Sequence, residues 1–309
     1  MLKDNIDIFL ITYNRVEKLE RTLGRLFADD SPIKNFEIKI LDNASTDGTE
    51  SFCRASVQKH PNIVYLRNII NLGISGNIIK SMELASKKWF WVLCDDDDYD
   101  WSRWNEIAEA LISDTYDIVH TTFVEGKRNE TYPYLINEEA FIPTSIYNTR
   151  HITSLTMQNA YGMAYTLLPH HAIGCKVINE NGRIFVPEGR TVLQGGTDKY
   201  NFIRMPKQGL FHRLANYQIL AGYIAAYQLI EDREVRRACC DVLCLGFDFE
   251  YSMGHFLEWN NGYIYNIADV LMSADKDQRQ AFFRALSEKA PEKSQAFRDF
   301  IREIYPLVS

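Results

Sequence analysis

The amino-terminal 125 residues of this chain predict an α/β fold, a mostly parallel central sheet flanked by helices. Three observations carry that prediction. Short apolar runs alternate with segments of helical periodicity, the pattern of parallel strands joined by crossover helices. Three of the runs end in polar stretches, "TYNR" (12–15), "DNASTDGT" (42–49) and "CDDDD" (94–98). In such sheets ligands bind beyond the carboxyl ends of the strands, so these exits are expected to share one edge and one site. Finally, four consecutive aspartates, Asp95 to Asp98, directly follow a strongly apolar run.

Taken in order, "IDIFLIT" (6–12), "FEIKILD" (36–42), "NIVYLR" (62–67), "WFWVLC" (89–94) and "DIVHTTF" (117–123) read as strands. Val16, Leu19, Leu23, Leu26 and Phe27 recur at helical spacing between the first two. Ile78, Ile79, Met82 and Ala85 do so before the fourth. Asp47 with Glu50 marks the start of a helix over 48–58, and Ser102 marks the start of another after the aspartates. Residues 126–210 carry Pro133, Pro143, Pro169, Pro187, Pro206 and the pair Gly195–Gly196, which predicts loops and short strands built around the site. From residue 211 the pattern turns helical, with amphipathic stretches "DQRQAFFRALSEKA" and "SQAFRDFIREIY". The expected division is a binding and catalytic domain over 1–210 and a helical region over 211–309 for acceptor, partner or homo-oligomer contacts.

Composition narrows the function classes. The 309 residues are 46% hydrophobic and 24% charged, with a formal net charge of −7. That balance argues against nucleic acid as the main partner, because phosphate binding needs a basic face. It also argues against broad attachment to an anionic membrane. No apolar run approaches the roughly 18–20 residues of a spanning helix. The start "MLKDNIDIFLIT" is charged where a secretory signal is apolar. A cytoplasmic protein is expected, with peripheral contact at the inner membrane face as the alternative; the face formed by Phe297, Phe300, Ile301 and Ile304 is its candidate anchor. Six cysteines without a C-x-x-C pair predict buried reduced thiols rather than structural zinc.

Four adjacent carboxylates repel one another and are costly to desolvate, so a positive partner is expected. Two carboxylates one residue apart at a strand end suit a hard cation such as Mg²⁺ or Mn²⁺, which keeps open positions for phosphate oxygens.

"FLITYNRVEKLERTL", "IKILDNASTDGT", "NLGISGNIIKSMELA" and "WFWVLCDDDDY", in this order and spacing, resemble the family 2 glycosyltransferases, which have the GT-A fold. The resemblance covers residues 5–125 well and 126–205 loosely. It implies a metal-dependent, inverting transfer of a sugar from a UDP- or dTDP-sugar to a hydroxyl of a glycan or lipid-linked sugar. By the same resemblance Thr12, Tyr13, Asn14 and Arg15 fall in the nucleotide-cradling loop. Asp42 falls at the acceptor for a pyrimidine N–H, which uracil and thymine have and cytosine lacks. Asn71 and Gly73 fall near the base or sugar, Gly73 and Gly76 letting backbone approach the ligand, with Asn77 a weaker candidate. Asp95 and Asp97 match the metal-binding D-x-D motif, with Asp96 between them near the donor sugar or ribose. Asp96 with Asp98 also satisfies D-x-D.

A direct inverting reaction needs a carboxylate to take the acceptor proton. "GGTDKYNFIRM" is similar to the family's downstream acidic motif and makes Asp198 the candidate base, with Glu188 and Asp248 in reserve. It departs from the pattern in having Thr197 where an acidic residue is common. His170, His171 and His212 are further candidates for the diphosphate or metal. Phe247, Phe249, Tyr251, Phe256 and Trp259 offer either core packing or stacking for acceptor sugars. Two other readings stand beside this one. A sugar nucleotidyltransferase would need a glycine-rich loop where "TYNRVEKLE" stands, and a catalytically silent binding module would keep Asp42 without a working base.

Overall fold

The protein is seen here as a computed structural model that describes residues 1–122, 139–193, 209–245 and 271–289, with Tyr132, Ile136, Gln295, Asp299 and Arg302. In the helix beginning at Gly209, side chains are described from Ile219 onward. Five strands form where the apolar runs predict them: β1 Ile6–Thr12, β2 Ile38–Asp42, β3 Ile63–Arg67, β4 Trp89–Cys94 and, after the short β5 Asp98–Tyr99, β6 Ile118–His120. Three more, β7 Ser145–Asn148, β8 Ile184–Phe185 and β9 Val192–Leu193, lie in the proline-rich region. The main sheet has seven strands in the order β3-β2-β1-β4-β7-β6-β8, and β5 pairs with β9. Its first four strands are parallel to one another, while β7 runs antiparallel between β4 and β6.

The helices follow from which sheet face each apolar set covers. All seven residues of β1 are buried, and alternate ones point to opposite sides. Ile6, Ile8 and Leu10 pack with Leu19, Leu23 and Leu26 of α1 (Val16–Leu26) and with Ile107 of α4 (Trp104–Ile112). Phe9 and Ile11 face Ile78, Ile79 and Met82 of α3 (Gly73–Leu84). The intervening α2 is Thr49–Lys59. A run apolar on both faces is what a sheet sandwiched between helices requires.

The region 139–193 differs from the expectation of loops and short strands, because it also holds α5 (Ser154–Gly162) and α6 (His171–Asn179). Seven residues of α6 are buried, and a helix buried on most sides shows no amphipathic period to read. The carboxy-terminal helices α7 (Gly209–Gln228), α8 (Arg233–Leu245) and α9 (Lys276–Lys289) build a separate core. There Leu220, Tyr223, Ile224 and Tyr227 meet Cys239, Cys240, Leu243 and Phe282, and the core reaches Cys175 and Ile178 of α6. All six cysteines are free, with Cys94 alone half-buried. Among the described residues no helix is long and apolar enough to cross a membrane. The face of Phe297, Phe300, Ile301 and Ile304 and the aromatic set from Phe247 to Trp259 lie outside them.

Ser102 does not cap the segment after the aspartates. The Asp100 side chain does so, accepting from the Ser102 backbone N–H at 2.9 Å before a short 3₁₀ turn, Trp101–Arg103, leads into α4. Ser102 already lies inside the turn, whereas Asp100 stands at the cap position, where its carboxylate reaches the free N–H.

Asp7 is the one charged residue of β1 and is wholly buried. Its carboxylate meets Lys39 Nζ at 2.5 Å and accepts the backbone N–H groups of Ser86 and Lys87 at 2.6 and 2.8 Å. It thus fastens the first strand to the turn that feeds β4. Burial works against the charged form, but the bonds from Lys39, Ser86 and Lys87 outweigh it and hold the Asp7 carboxyl below its ordinary value. Its stabilisation is therefore present above that value and lost as the pH falls through the lowered one. Asp7→Asn is expected to cost about 3 kcal/mol at neutral pH and to flatten the acid limb of the stability curve below pH 4. Denaturant melts at several pH values check both, and an acid limb unchanged in the variant would refute the assignment.

Candidate active site

Parallel register sets the site. Thr12 lies opposite Asp42, and Ile11 lies opposite Cys94, so the exits of β2, β1 and β4 stand level along one sheet edge. The expectation that the three polar exits share an edge is met by strand order alone.

At the β1–β4 boundary the aspartates are held by the protein's own donors. Thr12 Oγ1 donates to Asp95 Oδ2 at 2.6 Å. Arg15 Nη1 sits 3.1 Å from Asp95 Oδ1 and 3.1 Å from Asp96 Oδ2. Lys18 Nζ is 3.7 Å from Asp96, and Arg25 Nε is 3.3 Å from Asp98. Thr22 and Arg21 donate to the main-chain carbonyls of Asp95 and Asp96, at 3.0 and 3.1 Å. Arg15, Lys18, Thr22 and Arg25 recur every three or four residues, so one face of α1 meets the whole tetrad. Of its basic members, Arg15 was expected from the sequence as a nucleotide-loop residue, whereas Lys18 and Arg25 were not singled out; the helical spacing of cations ahead of an acidic run was the available signal.

Burial divides the four carboxylates. Asp95 and Asp97 are each 2% exposed, whereas the side chains of Asp96 and Asp98 are 30% and 49% exposed. Burial pushes the Asp95 carboxyl up, against the opposing pull of Arg15 and of the Thr12 hydroxyl. For Arg15 the balance reverses: burial lowers its pKa, but Asp95 and Asp96 hold the guanidinium above its ordinary value.

The other two exits are stitched by amides. Asn14 adopts the left-handed region (φ 52°), its N–H donates to Ser45 Oγ at 2.9 Å, and its Oδ1 accepts the Thr46 N–H at 2.7 Å. Asn43 Nδ2 donates to Asn71 Oδ1 and the Gly73 carbonyl, while Asn43 Oδ1 accepts from Asn68 Nδ2 and the Leu72 N–H. Asn77 completes the set, accepting from Asn68 and donating to the Leu41 carbonyl. Asn43 and Asn68 are structural members of the edge that sequence reasoning missed, because an isolated Asn at a strand exit reads as an ordinary turn residue.

Not every predicted residue faces solvent. Tyr13 does, at 41% exposure. Asp42 is wholly buried, with Oδ1 accepting the Ser45 N–H at 2.9 Å, Oδ2 accepting the Tyr65 hydroxyl at 2.7 Å, and Arg67 Nε 3.5 Å from Oδ2. Gly73 holds a positive φ of 73°, as a loop-to-helix turn demands. Gly76 is also needed for packing, because a Cβ there would stand 2.6 Å from the Leu72 Cβ. His170 and His171 are buried, not aimed at a ligand: His170 Nε2 lies 2.7 Å from the Glu139 carbonyl, and burial pushes its pKa down to about 4. Glu188 reaches Arg103 at 3.7 Å, on the segment that leads into β9. Asp198, Asp248 and the His212 side chain lie outside the described residues.

For a metal, the donor set is the relevant test. Asp95 and Asp97 supply only carboxylate oxygens, the hard donors that Mg²⁺ or Mn²⁺ takes, and such ions need one or two carboxylates besides phosphate oxygens. Among the described residues no group of three or more His, Cys, Asp or Glu side chains is arranged to hold an ion. The chemistry fits, and among the described residues the carboxylates do not form a complete cage.

The family model for "Glycosyl transferase family 2" matches residues 7–181, which span the sheet edge and all four loops just described. The chain belongs to glycosyl transferase family 2. Over 93 residues it is 38% identical to the abequosyltransferase RfbV of Salmonella typhimurium, a stretch taking in 30% of this chain and 28% of that relative. The chain therefore matches well under two thirds of that protein's length. In fold it is similar to S. aureus TarS 1-349 in complex with UDP-GlcNAc (TM-score 0.64, 15% identity, 97% of this chain and 90% of that one). It also resembles the mannosyltransferase PcManGT of Pyrobaculum calidifontis in complex with GDP-Man and Mn²⁺ (TM-score 0.52, 14% identity, 98% and 80%). The GT-A architecture expected of this family 2 chain is thus the one it has.

Two neighbouring substitutions should act in opposite directions. Ala44 holds φ 62°, a region that costs a β-carbon, so Ala44→Gly is expected to stabilise by about 0.5–1 kcal/mol. Asn43→Ala removes four hydrogen bonds at once and is expected to destabilise by about 2–4 kcal/mol. Equilibrium unfolding in urea measures both, and a destabilised Ala44→Gly variant would contradict the strain assignment.

Proposed function

We propose that this family 2 protein is a metal-dependent inverting glycosyltransferase that moves a sugar from a UDP- or dTDP-sugar to a hydroxyl of a glycan or lipid-linked acceptor. One observation carries the reading. The β1, β2 and β4 exits bring Thr12–Arg15, Asp42 and Asp95–Asp97 level on a single edge. Separately these are turn residues; together they pair an anionic cation seat with a loop suited to a nucleotide.

In this reading Asp95 and Asp97 hold Mn²⁺ or Mg²⁺, which when bound supplies positive charge to a departing diphosphate. The exposed Tyr13 ring stacks on the base, and Arg15 contributes a guanidinium to the diphosphate. Asn71 and Gly73 border the base and sugar through the loop that Asn43 fixes. Asp42 is the acceptor for a uracil or thymine N–H, a role that requires its bond from Tyr65 to open or be shared. Asp96, the more exposed of the central pair, faces the donor sugar. The two structural neighbours hold different nucleotides, so the base preference rests on Asp42 and not on the fold.

The acceptor proton is assigned to Asp198. It follows Leu193, the last residue of β9, by five residues in the sequence. The helices beyond Gly209 are the natural place for acceptor or subunit contacts. Attachment at a membrane surface would fall to the tail beyond Pro291.

Calorimetric titration with UDP, dTDP, GDP and CDP, in Mn²⁺ and then in EDTA, tests the core of this reading. Binding of UDP or dTDP that disappears in EDTA is the expected result. The absence of Mn²⁺-dependent binding for all four would sink it in favour of a silent module. Joint Asp95→Asn and Asp97→Asn replacement is expected to weaken UDP binding in Mn²⁺ at least about tenfold without lowering the melting temperature. Asp198→Asn should leave UDP affinity intact and slow transfer by about 100-fold or more, and retained turnover would return Glu188 or Asp248 to consideration.

A further inference from the structure

The cation expected beside the aspartates has a protein-borne counterpart. The side chain of Asp95 is 3% exposed and that of Arg15 is 31% exposed. Arg15 Nη1 lies 3.1 Å from a carboxylate oxygen of both Asp95 and Asp96. The second oxygen of Asp95 is taken by the Thr12 hydroxyl. A divalent cation approaching Asp95 is repelled by the guanidinium beside it. An anionic diphosphate is drawn to the same group, whose planar fork matches phosphate oxygens.

We propose that Arg15 is a resident counter-cation that makes capture of the divalent ion conditional on the nucleotide diphosphate. While no nucleotide is bound, Arg15 neutralises Asp95 and Asp96 and keeps a free ion out. When the diphosphate arrives, the guanidinium turns to its oxygens and releases a carboxylate oxygen of Asp95 to the ion. Lys18, 3.7 Å from Asp96, and Arg25, 3.3 Å from Asp98, keep the outer carboxylates balanced throughout, so only the inner pair exchanges its partner. Arg15 is thereby a positioning residue that sets the order of binding. The proposal rests on the metal-dependent reading given above and adds a sequence of events to it.

The test is the affinity for Mn²⁺ alone, followed by paramagnetic resonance of the free ion, in the wild-type protein, Arg15→Gln and Arg15→Lys, each repeated with saturating UDP. Arg15→Gln leaves Asp95 without its cation and is expected to bind Mn²⁺ alone at least about tenfold more tightly than wild type. Its gain in Mn²⁺ affinity on adding UDP should shrink by the same factor. Arg15→Lys keeps the charge, also guards against a folding defect in the first variant, and is expected to bind Mn²⁺ alone as wild type does. The proposal is overturned if Arg15→Gln binds Mn²⁺ alone with wild-type affinity, or if Arg15→Lys behaves like Arg15→Gln. Wild-type protein that binds UDP without any need for Mn²⁺ would instead remove the metal-dependent reading on which the proposal stands.

Discussion

Four carboxylates at the mouth of a buried strand form the constraint around which this end of the molecule is arranged. β4 places Trp89, Phe90, Trp91, Val92 and Leu93 in the core and then delivers Asp95 and Asp97 to positions that are still 2% exposed. Burying charge at such depth is tolerated only when hydrogen bonds and opposite charge accompany it. The protein meets that condition from two consecutive elements. Thr12 ends β1 with a hydroxyl on Asp95, and α1 follows with Arg15, Lys18, Thr22 and Arg25 on the face that overlooks the tetrad.

The same helix thereby serves two demands. Its apolar residues Leu19, Leu23 and Leu26 cover the sheet, and its cations compensate the acidic exit of the adjacent strand. Packing and electrostatics fix a single rotation of α1 about its axis, because turning the helix would expose the leucines and unpair the aspartates together. The opposite side of the edge is organised by neutral groups. Asn14, Asn43, Asn68, Asn71 and Asn77 bind backbone and one another, which holds three loops in place without adding charge to a region already rich in it.

The proposed function rests on that asymmetry. A charged, compensated pole at β4 and an amide-lined pole at β2 and β3 lie side by side, which suits a ligand with an anionic diphosphate at one end and a polar ring at the other. The buried histidines belong elsewhere: His120, His170 and His171 gather near Glu139, whose carboxyl burial pushes up to about 8. Their depth takes them out of reach of a nucleotide, even though their residue type invites a metal-binding assignment.

How much of this was legible depended on the range of the interaction. Strands β1 to β4 and helices α1 and α3 could be read because their burial imposes a local apolar period, and the level exits followed from parallel connectivity. The D-x-D motif, the "TYNR" loop and the glycine turn at Gly73 were visible because each is set within a few residues. By contrast α6 was hidden, since "HAIGCKVIN" is buried on most sides and carries no period. The partnership of Arg15 with Asp95 spans eighty residues, and that of Asp42 with Tyr65 spans twenty-three. Sequence by itself determined that acidic and amide groups would meet at one sheet edge. Tertiary structure decided which carboxylates are buried and what neutralises them, because charge pairing at that depth is set by how α1 packs across β1 and β4 and not by neighbours along the chain.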